Sequence, residues 1–231
     1  MCKKCSTVKV ERHSKFVRSC HWGIVVTGIV TGLTGLQLAN LFGINFFDDA
    51  YALHIRMSFI FAGLWALFIY FSLLEEWKWL KPSRIPYSIK FVMEEAVAWV
   101  KGGHVDDPRA YDPRRKEYVE KIIPSQVLVW WTYLLLTAII GLTGLAMLAP
   151  DTFKPVFGFA SAIAPLFGTE NAYAFVRAVH KFTMFLYATV MITHAYAATI
   201  FGTLSSMING IRREKVVSES TGAGSGQPAD G

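Results

Sequence analysis

The sequence predicts an all-α membrane protein, a four-helix transmembrane bundle with both termini cytoplasmic. Three observations carry this. Of 231 residues, 53% are hydrophobic and only 17% charged, where a soluble domain carries near a quarter charged. Four apolar runs approach or exceed the roughly 20 residues that cross a bilayer as a helix. No ten-residue alternating pattern recurs, so helices rather than barrel strands span the membrane.

Residues 1–15 are polar and basic. Cys2 and Cys5 form a CxxC there. One such pair supplies two ligands where a zinc site takes four, so a reduced, unligated end is expected. The other reading is half of a metal or iron–sulfur site completed by a partner. With Cys20 the only other cysteine, no oxidised scaffold is indicated. No cleavable signal peptide is expected, because the apolar run after the basic start is too long.

Span one runs over about 16–41, with His21 in its first turns and a Gly/Thr-rich second half. Span two covers about 51–74, with His54 and Arg56 near its start. Residues 75–125 are the longest polar segment, and Tyr87 to Val100 within it reads as a helix at the membrane interface. Span three covers about 126–148. Phe157 to Phe167 is apolar but too short to cross, and is expected as an interfacial or re-entrant loop. Span four covers about 172–204. The membrane domain is thus 16–212, and 213–231 is expected to be a disordered tail, Gly- and Ser-rich from Ser218.

Six Lys/Arg precede His21 and ten lie between Lys78 and Lys121, with three more at 212, 213 and 215. The positive-inside rule places these three segments, and hence both termini, in the cytoplasm. The net charge of +6 is therefore a topology signal. No phosphate loop, nucleophilic triad or nucleic-acid module is present.

His180 and His194 lie fourteen residues apart in span four. On a helix that is about 21 Å of rise and four turns less about 40°, so both face nearly one side. The span directions put His21 and His194 on the inner side of the membrane, and His54 and His180 on the outer side. Ionisable groups inside a membrane are costly and tend to carry function. Neutral imidazoles are iron ligands. Four of them in two depth-matched pairs fit two stacked haems. A proton relay or metal transporter is the competing class, but the spans carry no carboxylates between their ends. His13 and His104 are expected to be solvated. Arg18, Arg56, Arg177 and Lys181 lie within a turn of the histidines and could pair with haem propionates or simply snorkel. Gly32-Leu-Thr-Gly35-Leu recurs as Gly141-Leu-Thr-Gly144-Leu. Small residues at this spacing admit a close neighbour, either a helix or a haem face.

Arg18-Ser-Cys-His21-Trp22, the Thr-Gly-Leu later in span one, the early histidine of span two, the two histidines of span four and Gly202-Thr-Leu-Ser-Ser-Met-Ile-Asn-Gly210 together resemble one family. It is the cytochrome b (gamma) subunit of membrane-bound formate dehydrogenases, in the superfamily that includes the cytochrome b of nickel–iron hydrogenases. The resemblance implies a subunit of the bacterial or archaeal cytoplasmic membrane with two b-type haems. It would take electrons from an iron–sulfur subunit, itself joined to a catalytic dehydrogenase subunit, and exchange them with a quinone. Higher oligomers are frequent in that family. The alternatives are a quinol-oxidising subunit of a reductase and a haem-free anchor or transporter. The family's quinone motif, Asn-x-Gly-Gln-Lys, is replaced here by Ile123-Pro-Ser125-Gln126-Val127. Only Ser125 and Gln126 carry over as quinone residues.

Overall fold

The computed structural model describes residues 6–217. Cys2, Cys5 and the segment from Ser218 lie outside the described residues. In order, the chain forms β1 (Thr7–Glu11), α1 (Lys15–Leu38), α2 (Ala50–Phe71), a π-helical turn (Ser72–Glu76), α3 (Trp77–Leu80), a 3-10 turn (Pro82–Arg84), α4 (Ile85–Val100), β2 (Ala110–Asp112), β3 (Glu117–Glu120), α5 (Ser125–Leu148), α6 (Lys154–Ile163), a second 3-10 turn (Ala164–Phe167), α7 (Ala172–Ile200), α8 (Leu204–Asn209) and β4 (Ile211–Lys215). The helical stretches beginning with α1, α2, α5 and α7 are long and apolar enough to cross a membrane.

Local chemistry sets the helix ends. Ser14, Asp49 and Asn171 cap α1, α2 and α7, each side chain accepting a backbone N–H three residues on. Asn40, Phe42 and Gly43 take left-handed backbone angles, so α1 stops at Leu38, short of the expected 41. In the same way left-handed Gly202 follows α7, which ends at Ile200 rather than 204. At the end of α2 the Ser72 hydroxyl donates to the Phe68 carbonyl. The α-helical pattern yields there to a π turn before the expected limit at 74.

The four long helices form two antiparallel hairpins, α1 with α2 and α5 with α7. In the first, Phe16 meets Phe71 and Gly28 faces Phe61. In the second, Thr137 meets Tyr187 and Ala146 packs with Val176. The hairpins meet through long side chains, including Trp65 on α2 with Tyr133 and Tyr187 across from it. Val26, Leu67, Leu135 and Ile192 point outward and are exposed, as helix faces turned to lipid are.

The segment Phe157–Phe167 is not a loop. It is helical, as α6 and its 3-10 turn, because Ala160 fills a buried position against Ala146 and Val176. The expectation of a disordered tail from 213 is also corrected for 213–217. β4 pairs antiparallel with β1, Lys9 opposite Arg213, and the two strands close one end of the bundle, called the near end below.

Buried charge holds that near end. Glu214 is 1% exposed and accepts from Arg12 at 2.7 Å and from Arg212 at 2.5 Å. Arg109 forks onto Asp107 and also donates to the Phe201 carbonyl at the end of α7. Arg212 reaches the same carbonyl. Two cations thus sit where the C-terminus of α7 is negative, and they anchor the helix that carries both His180 and His194. Burial alone would raise the Asp107 carboxyl, but the hydrogen bonds and charge of Arg109 outweigh it and hold it below its ordinary value.

His13, expected in solvent, is instead half-buried with Nδ1 enclosed and unpartnered. Burial, with Arg12 nearby, pushes its pKa down from 6.5 to about 3. The folded end keeps His13 neutral where an unfolded chain protonates it. The unfolded state therefore binds more protons between those values, and stability is lost as pH falls below about 6.5. Protection of the β1 amides, measured relative to their intrinsic exchange rate at each pH, should be lower at about pH 5 than at neutral pH, and His13→Gln should remove the difference.

Candidate functional site

At the far end, His54 on α2 and His180 on α7 face each other with ring centroids 6.4 Å apart. The same device holds each ring. His54 Nδ1 lies 3.0 Å from Thr34 Oγ1 and 3.1 Å from the Thr31 carbonyl. His180 Nδ1 lies 2.9 Å from Thr143 Oγ1. Both threonine hydroxyls donate to carbonyls of the preceding turn, Val30 and Ile139, so each accepts from the imidazole. Each histidine is then protonated on Nδ1, leaving the Nε2 lone pair free. The next residue in each motif gives the ring its room. A Cβ on Gly35 would stand 3.3 Å from His54 Cε1, and one on Gly144 would stand 3.2 Å from His180 Cε1. The repeated Gly-Leu-Thr-Gly-Leu is therefore a histidine seat, used once in each hairpin.

At the near end, His21 on α1 and His194 on α7 also stand with ring centroids 6.4 Å apart. His21 Nδ1 is buried without a partner. Tyr133 lies against His194, at 6.2 Å between centroids. Structure thus brings together the two pairs that the span directions predict.

Steps of seven residues organise the interior. His21, Gly28 and Gly35 follow one another on α1, His54 and Phe61 on α2, Thr137 and Gly144 on α5, and His180, Tyr187 and His194 on α7. Seven residues are about two turns, so each set shares a face. Three layers result: the far histidines, a middle layer with Phe61 and Tyr187, and the near histidines.

Among the described residues, no group of three or more His, Cys, Asp or Glu could hold a metal ion. Two facing imidazoles suit a metal whose other ligands come from elsewhere, as a macrocycle supplies them. The spacing agrees. With metal–nitrogen bonds of about 2.0–2.1 Å and a centroid about 1.1 Å beyond each nitrogen, imidazoles on opposite sides of one metal place their centroids about 6.3 Å apart. The imidazole donors and the 6.4 Å spacing of each pair fit a haem iron, which these histidines would hold.

A model of the prokaryotic cytochrome b561 family matches residues 12–210. The chain belongs to that family. A search of curated proteins found no match. Membership makes the chain a membrane haem b electron-transfer subunit, multi-pass in the inner membrane. The matched range begins at Arg12 and closes at Gly210, and these two residues touch: the Arg12 N–H donates to the Gly210 carbonyl at 2.8 Å.

The remaining expected site residues are placed unevenly. Arg18 donates to the Ile208 carbonyl, and Trp22 donates to Met207. The opening motif of span one thus docks on the closing Gly202–Gly210 segment. Arg18 Nε stays buried and unpartnered. Arg56 and Arg177 are exposed and Lys181 is half-buried. None of the three has an ion-pair partner among the described residues. Around its helix, Arg177 lies about 60° from His180 and Lys181 about 100°, whereas Arg56 lies about 200° from His54. Ser125 and Gln126 open α5 at the near end. Four residues earlier, Lys121 pairs with Glu76 of the π turn. His104 is exposed, as expected, and pairs with Glu95 at 2.5 Å.

Thr34, Thr143 and Tyr187 were missed as site residues. The signal for the threonines was their identical place in a repeated motif. For Tyr187 it was its place midway between two histidines. The seat is directly testable. In Gly144→Ala the new methyl crowds a ring already held by Thr143, and would displace it from any haem iron it binds. A redox titration should show one haem component shifted or lost and the other unchanged.

Proposed function

We propose that this cytochrome b561-family chain is the di-haem subunit of a respiratory dehydrogenase complex, formate being the first substrate class and hydrogen the second. The observation that carries the reading is the pair of pairs: two sets of facing histidines, each at 6.4 Å, at two depths of one bundle. His21 and His194 would hold one haem, His54 and His180 the other. When bound, each haem would supply a one-electron iron couple, which suits electron shuttling.

This chain's residues do the rest. Thr34 and Thr143 fix the tautomer of the far histidines. Gly35 and Gly144 let the rings stand against the helix backbones. Arg177 and Lys181 supply cations for propionates at the far side, and Arg18 with its enclosed Nε supplies one at the near side. The clustering of basic residues at the near end supports a cytoplasmic near end and cytoplasmic termini. A quinone at the near side, beside Ser125 and Gln126, would draw its protons from there. Electrons would reach the chain from an iron–sulfur subunit joined to the catalytic subunit.

The test is to purify the chain in mild detergent with its bound subunits, identify them by mass, and add formate or hydrogen. The reading expects an iron–sulfur subunit and a dehydrogenase subunit, with haem bands reduced by the donor. A bound reductase whose substrate oxidises pre-reduced haem would contradict it.

A further inference from the structure

The middle layer lies between the two histidine pairs and belongs to neither. Tyr187 is its centre, seven residues after His180 and seven before His194. That is about 10.5 Å of helix rise from each, on the same face. Its hydroxyl accepts from Trp65 Nε1 at 2.9 Å and meets Thr137 Oγ1 at 3.2 Å. Its ring touches Phe61 at 5.9 Å and Tyr133 at 4.9 Å between centroids. Tyr133 in turn touches His194 at 6.2 Å. Opposite, a Cβ on Gly28 would come within 3.3 Å of Phe61, so a glycine gives Phe61 its space. A phenol in a membrane interior is costly unless its hydroxyl is satisfied. This one is held by partners from α2 and α5, which together lock it from both hairpins.

We propose that Tyr187 is a positioning residue for electron exchange between the two haem sites: its ring, fixed by Trp65 and Thr137, fills the gap between them and couples them. The proposal rests on the two-haem reading. The step moves one electron from reduced iron at one site to oxidised iron at the other. No atom is transferred and no co-reactant is needed. Tyr187 itself is neither oxidised nor reduced; it replaces what would otherwise be a void with packed aromatic matter, and electronic coupling is weaker across empty space than through a packed medium.

The experiment uses the detergent-purified full chain. Haem content, both midpoint potentials and the rate of inter-haem equilibration after pulsed photoreduction are measured for the wild type, Tyr187→Leu and Tyr187→Phe. Tyr187→Leu should keep both haems and both potentials while equilibration slows by about tenfold, equivalent to about 1.4 kcal/mol of barrier. Tyr187→Phe should restore the ring and with it the rate. An unchanged rate in Tyr187→Leu with both haems present overturns the proposal. So does loss of a haem or a shifted potential in that variant, which would make Tyr187 a scaffold of the haem sites. Wild-type protein with fewer than two haems would instead refute the two-haem reading beneath it.

Discussion

His54→Ala is expected to release one haem and leave the other in place. The substitution removes one of two facing imidazoles at the far end and touches nothing at the near pair, which lies about 21 Å away along α7. The fold should survive. The partners of the lost ring are Thr34 Oγ1 and the Thr31 carbonyl, and Thr34 keeps its own bond to Val30. The cost to stability is on the order of 1–3 kcal/mol, as for other core truncations. Haem content should halve, and one of two components should vanish from a redox titration. His180→Ala should remove the same component and His21→Ala the other. An unchanged spectrum from well-folded His54→Ala would mean that the far pair binds no haem.

Glu214→Ala is expected to unlock the near end. The carboxylate is buried between Arg12 and Arg212, and Arg12 is itself 7% exposed. Removing it leaves the buried Arg12 guanidinium without its counter-charge, while Arg212 keeps Asp107 at 3.4 Å; breaking a buried pair in this way typically costs about 3–5 kcal/mol. The loss should be local. β1 and β4 should exchange amide protons and admit protease far faster, while His54 and His180, at the other end, keep their haem. Glu214→Gln keeps the volume but not the charge and should fall between. If Glu214→Ala exchanges like the wild type, the ion pairs do not hold the strands.

The fold and the histidine pairs were legible because they depend on periodicity and direction. Apolar runs of sufficient length give helices, alternating directions give depth, and His180 with His194 gives two depths on one helix. What escaped the sequence depends on contacts between distant segments. β4 reads as a charged tail until Glu214 is seen enclosed by Arg12, a residue 202 positions away. His13 and Asp107 look like solvated polar residues, and only the packing of β1, β4 and the end of α7 encloses them. The Gly-Leu-Thr-Gly-Leu repeat was visible as a small-residue surface, but one sequence does not say what stands against it. The partners are imidazoles, seated by the threonine as well as admitted by the glycine. Phe157–Phe167 was too short to span, and a loop was expected; tertiary contact with Val176 made it helical.

The most direct test of the central claim is a haem count per polypeptide on the detergent-purified chain, with a reduced-minus-oxidised spectrum and a redox titration. Two facing pairs at two depths predict two b-type haems for each chain and two titrating components. One haem would mean that one of the histidine pairs is structural, and none would contradict the axial role of both.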